Sequence, residues 1–186
     1  TPFDGNKIDL LFIRQASKDI ANALQLAAEY HVVCVKSTVV PGTTENVVGK
    51  ILEENSNRKL GVNLGLSMNP EFLAEGTAVA DFMNPDRIVI GAIDSPSANL
   101  MKKLYKPFLH TDFVITTPAT AEMCKYAANA FLATVISYAN EIASICSEIE
   151  GVDVVDVLNA VYKDRRLSPI TPQGRITPGL LSFLFP

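Results

Sequence analysis

Four polar side chains have the types needed for acid–base chemistry at an oxygen that gains negative charge. Lys125 and Asn129 are four residues apart in a helical pattern, so their side chains share one helix face. A lysine beside an amide can stabilise a developing alkoxide or oxyanion. Glu71 can then serve as the acid or the base, and Thr38 adds a hydroxyl.

Each of these residues also has a purely structural interpretation. Lys125 alone is more often a solvated helix lysine, and Asn129 is only mildly unfavourable inside a helix. Glu71 and Glu75 could cap a following helix, and Thr38 could be a cap or turn residue. The chemical interpretation therefore requires that these residues meet at one edge of one sheet.

The elements that would position them alternate between strands and helices. Short apolar runs predict strands at residues 32–35, 64–68, 88–91 and 113–115. Helices are predicted from a cap at Asp9 through residue 27, over residues 45–54, and from residue 95 through 104. This order predicts an α/β fold with a partial doubly wound parallel sheet of the Rossmann type. Ligands bind beyond the carboxyl ends of such strands, where the candidate residues fall.

A long helix is predicted after the last strand, over residues 118–150. Thr117 and Pro118 form a cap and first turn, Glu122 suits the positive start of the helix, and Gly151 can end it. About 30 residues at 1.5 Å per residue give roughly 45 Å, which suits a backbone between domains or subunits. A short further helix is predicted after Asp153.

Composition narrows the class of protein. The net charge of −4 and the scattered lysines and arginines argue against nucleic acid and membrane surfaces as partners. No stretch is expected to span a membrane, and no signal peptide is expected at the start. Three cysteines without a C-x-x-C spacing, and only two histidines, argue against a metal site and favour a reducing, cytoplasmic location.

Four ordered segments carry a resemblance to UDP-glucose and GDP-mannose dehydrogenases. They are KSTVVPGT at 36–43, NPEFLAEGTA at 69–78, NPDRIVIG at 84–91 and EMCKYAANAFLA at 122–133. The resemblance runs from the first residue to about residue 166. It implies an NAD-dependent, four-electron oxidation of a sugar C6 alcohol to a uronate of the kind used in polysaccharide biosynthesis.

The same resemblance implies catalytic roles. Glu71 would be the acid or base that handles the attacking water. Lys125, with the help of Asn129, would stabilise oxyanion character on the substrate. Thr38 would lie near the NAD and hold a catalytic water.

Binding roles are implied as well. Phe72, Leu73 and Ala74 would offer backbone groups to a UDP-sugar, and Glu75 would reach the cofactor. The Glu71, Glu75, Lys125 and Asn129 side chains would also contact the substrate. The helix over 118–150 would form a homodimer.

The resemblance divides the chain into three parts. Residues 1–117 would be the C-terminal half of an NAD-binding Rossmann domain, and residues 118–164 a central helical dimerisation domain. Residues 165–186 would be an irregular tail leading toward a UDP-sugar-binding domain.

Two segments of the family pattern do not occur in the sequence, the G-x-G-x-x-G turn and the cysteine segment G-G-S-C-x-P-K-D. Cys124 is next to Lys125 but would point about 100° away on the helix, so a core position is expected. The chain alone is therefore expected to be inactive, because it positions no thiolate nucleophile.

The expected full reaction converts UDP-glucose to UDP-glucuronate. GDP-mannose and UDP-N-acetylhexosamine oxidation remain alternatives, as does a 3-hydroxyacid or 6-phosphogluconate type of dehydrogenase, which also carries Lys and Asn four residues apart. A non-catalytic dimerisation module is the alternative from a different class.

Overall fold

The computed structural model describes residues 8–108 and 111–164. Within them, the strands are β1 His31–Val35, β2 Leu64–Met68, β3 Arg87–Ala92 and β4 Asp112–Thr116. The helices are α1 Leu11–Leu24, α2 Lys50–Ser56, α3 Ala78–Met83, α4 Ser95–Leu104, α5 Pro118–Ser147 and α6 Val154–Tyr162, and a π-helical segment, Thr44–Gly49, runs directly into α2. The tail expected to be irregular, residues 165–186, lies outside the described residues.

The local sequence signals explain most element boundaries. β2 has the predicted bounds, and the other strands extend the prediction by one residue at one or both ends. The Asp9 carboxylate accepts a hydrogen bond from the Leu11 N–H at 2.8 Å and so begins α1. Asp153 does the same for α6, where it accepts from Val155 N at 2.7 Å. The sequence patterns do not predict α3, because none of its six residues is buried and it therefore shows no apolar periodicity.

The strands form one sheet in the order β1-β2-β3-β4. β1 pairs with β2 in parallel, and β3 pairs with β4 in parallel. The mixed α/β, Rossmann-type class is confirmed, but the prediction of a parallel sheet is wrong where the two pairs join. There β2 and β3 run antiparallel and share two register pairs, Ser67 with Ala92 and Met68 with Gly91.

The connection between β2 and β3 explains the reversal. α3 has six residues, which rise only about 9 Å at 1.5 Å per residue. A strand of five or six residues spans roughly 17–20 Å, so α3 is too short to return the chain along the sheet. The chain therefore enters β3 close to the edge at which β2 ended.

The core lies on both sides of this sheet. β2 is buried at every residue, as expected for a strand covered on both faces. One apolar cluster joins β2 to α1, the π-helical segment and α2, and includes the fully buried Leu52, Leu64 and Leu66. A second cluster joins β3 to α4 around Ile90, Met101 and Tyr105.

The chain forms two compact units, one up to Asn129 and one from Ala130 onward. α5 begins in the first unit at Pro118 and ends at Ser147, three residues before the predicted end. The domain boundaries expected at 117 and 164 remain predictions.

By length and composition α5 is able to cross a membrane, with a mean hydropathy of 1.3 and little of it buried. The expectation that no stretch meets this criterion is therefore wrong. The same property is typical of a helix that packs against a partner protein.

Candidate active site

An ion pair joins two of the residues singled out in the sequence. The Lys125 Nζ lies 2.9 Å from Glu71 Oε1. Lys125 is 7% exposed, so it is not the solvated helix lysine of the structural interpretation. Glu71 is half-buried, with 35% of its side chain exposed, and can be reached from solvent. The structure therefore brings a cation and a carboxylate from distant parts of the chain to one place.

Glu71 is held in its charged form. Burial by itself would raise the pKa of this carboxyl, but the hydrogen bond from Leu73 N–H and the bond and charge of Lys125 outweigh it, with a smaller effect of Lys36. The net pKa of Glu71 is therefore lowered. The Leu73 N–H donates to Oε2 at 2.7 Å. At neutral pH this side chain is therefore a carboxylate, the form in which it can act as a proton acceptor.

Asn69 anchors the segment that carries Glu71. It is 2% exposed, and its amide Nδ2 donates to Val89 O at 2.8 Å. Its Oδ1 accepts from Lys36 Nζ at 2.6 Å and from the hydroxyl of Tyr105. A buried amide with all these partners fixes the backbone two residues before Glu71. In the sequence alone, Asn69 stands out only as the first residue of the NPEFLAEGTA segment.

Asp81 of α3 fastens the other end of the same segment. Its Oδ2 accepts from Ala74 N and from the hydroxyl of Thr77, both at 2.9 Å. The N–H groups of Leu73 and Ala74 are thus already bonded inside the loop. The predicted backbone contacts from these two residues to a sugar nucleotide would have to replace these bonds or use other groups.

The Phe72 ring contacts two cations. The Arg87 guanidinium lies 4.0 Å from the centre of its ring, and Lys125 Nζ lies 5.7 Å from it. Such contacts are favourable because the ring face carries negative potential. Phe72 therefore helps to hold both Lys125 and the start of β3 near Glu71.

A cavity of about 150 Å³ opens beside this group. Its polar lining contains the charged residues Lys36, Glu71, Asp81, Asp86 and Arg87. Ligand pockets usually measure roughly 300–1,000 Å³. The described residues therefore supply part of a binding site for a polar ligand.

Three further predicted site residues lie in the loops after β1 and β2 and on α5. Thr38 is half-buried in the loop after β1, and Glu75 is exposed in the loop after β2. Asn129 is exposed, one helical turn beyond Lys125. In the described part of the chain, neither Asn129 nor Glu75 bonds to Glu71 or Lys125. The roles assigned to Thr38, Asn129 and Glu75 stay predictions.

Glu122 was expected to stabilise the positive start of its own helix. The structure gives it a different role. It is the fifth residue of α5 and has no exposed surface. Its Oε1 accepts from the backbone N–H of Thr44 at 2.7 Å and from the Thr44 hydroxyl at 2.6 Å. Its Oε2 accepts from Gly42 N–H at 2.5 Å. Glu122 therefore fixes the start of the π-helical segment. The sequence signal for this role was a single acidic residue within an apolar helix pattern.

The cysteines behave as core residues. Burial raises the pKa of the Cys34 thiol, and its S–H donates to Val35 O at 3.7 Å. Cys124 packs against the larger apolar cluster, which confirms the core position expected for it. Over residues 8–108 and 111–164, no three His, Cys, Asp or Glu residues form a group that could hold a metal ion.

Two domain matches cover nearly all of the chain. Residues 1–109 match the NAD binding domain of the UDP-glucose/GDP-mannose dehydrogenase family, and residues 119–180 match its central domain. The chain belongs to this family. The resemblance found in the sequence is thereby confirmed, and the alternative of a 3-hydroxyacid or 6-phosphogluconate type of dehydrogenase is not supported.

Similar proteins include members that act on both kinds of nucleotide sugar. The chain is 42% identical to the UDP-glucose 6-dehydrogenase of Haloferax volcanii over 88% of its own length and 39% of that protein. It is 40% identical to the GDP-mannose 6-dehydrogenase of Azotobacter vinelandii over 93% of its length and 39% of that protein. The chain thus spans about two fifths of the length of these relatives.

A solved relative has the same fold. The structure of a ternary complex of GDP-mannose dehydrogenase from Pseudomonas aeruginosa matches with a TM-score of 0.85 at 38% identity. The match covers 90% of this chain and 38% of that one.

NAD is the cofactor that the family assignment gives the chain. β1 and β2 are adjacent and parallel, so the loops with Thr38 and Glu75 leave the sheet at the same edge. A hydroxyl and an exposed carboxylate there suit the ribose hydroxyls of a dinucleotide. The chemistry of Thr38 and Glu75 is thus compatible with the cofactor, and their contacts with it stay predictions.

Proposed function

We propose that this chain is part of an enzyme that oxidises UDP-glucose to UDP-glucuronate. The alcohol at C6, two NAD⁺ and one water become a carboxylate, two NADH and three protons. NAD supplies the acceptor for both hydrides. The observation that supports this proposal is the 2.9 Å pair of Lys125 and Glu71 within the two segments typical of the family.

Lys125 is proposed to stabilise negative charge on the substrate oxygen. Its ammonium group is buried and is held by Glu71 and by the face of Phe72. A preorganised cation with little solvent around it stabilises an oxyanion more strongly than a solvated one does. Asn129, one turn further along the same helix, is proposed to add an amide hydrogen bond.

Glu71 is proposed to accept the proton of the attacking water. It is ionised at neutral pH, as a general base must be, and its contacts with Leu73 and Lys125 lower its pKa further. One of its oxygens already accepts from Leu73 N–H and the other faces Lys125. The exposed third of this side chain is accessible to a water. The contacts with Leu73 and Lys125 restrain the orientation of the carboxylate. Thr38 is proposed to hold such a water near the cofactor.

The cavity beside Glu71 is proposed to bind part of the nucleotide sugar. Its lining includes Phe72 and Leu73 together with the cations Lys36 and Arg87. Mixed charges of this kind suit sugar hydroxyls and a diphosphate. Ala74 and Glu75 would extend the contact from the rim of the loop.

GDP-mannose is the second candidate substrate. The identities to a UDP-glucose enzyme and to a GDP-mannose enzyme differ by only two percentage points, 42% and 40%. A solved GDP-mannose dehydrogenase also matches the fold with a TM-score of 0.85. UDP-N-acetylhexosamines are the third group of candidate substrates.

We propose a homodimer formed through α5, in the cytoplasm. The later part of this helix exposes large apolar side chains, namely Phe131, Leu132, Ile136 and Ile145. Their burial against a second copy would remove this surface from water. The free cysteines suit a reducing compartment.

The test uses the gene product that contains this chain. NADH is counted per molecule of UDP-glucose, GDP-mannose or UDP-N-acetylglucosamine consumed. Two NADH per UDP-glucose, with the other sugars at least roughly tenfold poorer in kcat/KM, supports the proposal. A higher kcat/KM for GDP-mannose than for UDP-glucose would make GDP-mannose the proposed substrate. One NADH per sugar would contradict the four-electron reaction. Binding of none of these sugars favours the non-catalytic module.

A further inference from the structure

Glu122 is a fully buried carboxylate whose partners are all neutral donors. Its two oxygens accept from Gly42 N–H, Thr44 N–H and the Thr44 hydroxyl. A buried charge is costly unless hydrogen bonds compensate it, and these three do so. With both oxygens satisfied in this way, Glu122 is a fixed link between α5 and the segment that contains Gly42 and Thr44.

The connection joins two parts of the candidate site. Glu122 lies three residues before Lys125, so the two side chains lie on neighbouring positions of the same helix face. Its partners, Gly42 and Thr44, lie in the segment that follows Thr38. One carboxylate thus ties the element that carries Lys125 to the loop that carries Thr38.

The segment between Thr38 and Gly42 is short and is anchored at its first residue. Val39 is fully buried. The Thr43 hydroxyl and the Thr43 N–H both donate to Val40 O, at 2.7 and 3.1 Å. These bonds close the turn from Val40 to Thr43, and Thr38 is only two residues before that turn, so a shift of Gly42 relative to α5 is expected to move Thr38 as well.

We infer that Glu122 is a positioning residue that fixes the cofactor-side loop of Thr38 relative to the substrate-side lysine, Lys125. The inference rests on the proposed function, in which Thr38 lies near NAD and Lys125 near the sugar oxygen. Glu122 thereby fixes the position of the loop whose Thr38 would hold the cofactor relative to the lysine that would hold the sugar oxygen, without touching either ligand. Small errors in such a relative position cost rate while leaving binding largely intact.

Only a carboxylate of this length meets all three donors. A glutamine has one acceptor oxygen, and its NH₂ group would face an N–H that needs an acceptor. An aspartate is one methylene shorter and cannot keep both oxygens in place. Glu122→Gln therefore changes the connection with almost no change in volume.

The experiment compares four variants of the gene product that contains this chain. Glu122→Gln is expected to lower kcat roughly 10²-fold, with the KM values for sugar nucleotide and NAD nearly unchanged. The primary isotope effect with C6-deuterated substrate is expected to increase, because hydride transfer becomes slower. Thr44→Val, which loses one of the three bonds, is expected to have an intermediate kcat, and Thr44→Ser to restore it.

Glu53→Gln is the matched control. Glu53 is an exposed glutamate that also accepts a backbone N–H, from Leu60 at 3.0 Å, but in a place away from the candidate site. Its kcat and isotope effect are expected to equal those of the wild type. A wild-type kcat and isotope effect in both Glu122→Gln and Thr44→Val would overturn the inference.

Hydrogen–deuterium exchange separates this inference from the proposed function. Exchange in residues 40–46 is expected to be faster in Glu122→Gln than in wild type or Glu53→Gln. If the wild type oxidises no nucleotide sugar, the proposed function fails, but exchange still decides whether Glu122 holds the loop. Unchanged exchange in Glu122→Gln overturns the inference in either case.

Discussion

The first and the later part of α5 differ in what they bury. Before Asn129 the helix buries Ala121, Glu122 and Lys125, two of which carry charge. After Asn129 it exposes large apolar side chains such as Leu132, which is 60% exposed. The same helix thus buries charged side chains in its first part and exposes apolar side chains in its later part. Solvation alone favours the opposite arrangement.

The difference follows from the partners that each part of the helix has within the described residues. Charge is buried where it has specific partners, Glu71 for Lys125 and the Gly42–Thr44 backbone for Glu122. Hydrocarbon is exposed where another surface is expected to cover it. The following predictions test the two parts, from the largest expected effect to the smallest.

The largest effect is expected from Lys125→Ala. Loss of the buried cation removes the proposed oxyanion stabilisation and should lower kcat roughly 10²–10³-fold in the gene product that contains this chain. NADH formation at saturating substrate measures it. Lys102→Ala, at an exposed lysine of α4, is the control and should have wild-type kcat. Near-wild-type turnover of Lys125→Ala would remove this residue from the chemistry.

A second effect concerns how closely the first part of α5 packs on the sheet. A Cβ at Gly91 would lie 2.7 Å from Pro118 Cα and from Ala121 Cβ. Backbone must shift to relieve such contacts, so Gly91→Ala should destabilise the first unit by about 1–3 kcal/mol. Chemical denaturation measures the change. Adding Ala121→Gly should recover only part of it, because the contact with Pro118 remains; full stability of Gly91→Ala alone would argue against this close packing.

A third effect concerns the exposed part of the helix. Leu132→Asp together with Ile136→Asp places charge on one face of the proposed dimer contact and should weaken dimerisation at least roughly tenfold. Sedimentation velocity over a range of concentrations measures it. Ser137→Asp lies about 100° around the helix from Ile136 and should dimerise normally. A monomeric wild type, or a wild type that sediments with phosphatidylcholine vesicles, would contradict the dimer.

The smallest effect is a pH dependence of stability. The pKa of Glu71 is lower in the folded chain than its ordinary value, so its ion pair stabilises the fold above the unfolded pKa. That contribution is lost as pH falls through the folded pKa. The thermal midpoint of the wild type should exceed that of Glu71→Gln at pH 7, and the difference should shrink toward pH 3. A difference that grows on acidification would mean that the ion pair is not the cause.

Sequence periodicity was sufficient for the strands and for most helices, because these elements bury regular apolar positions such as those of β2. It could not predict the antiparallel joint, which depends on how short α3 is. The meeting of Glu71 with Lys125 was expected, but from a sheet parallel throughout, and the structure achieves it through a reversed second half. Composition and spacing assigned no role to Asn69 and did not assign the correct role to Glu122. Both side chains bond to backbone groups far away in sequence.

The joint between β2 and β3 has a mechanical consequence. Two register pairs connect two ladders that are each complete by themselves, and the Asn69 side chain adds a further link by donating to Val89 O. A force that separates the β1–β2 pair from the β3–β4 pair would therefore break the fewest strand pairs at the β2–β3 junction. The Asn69 side chain therefore strengthens the junction with the fewest strand pairs, and the loop that carries Glu71 begins at this residue.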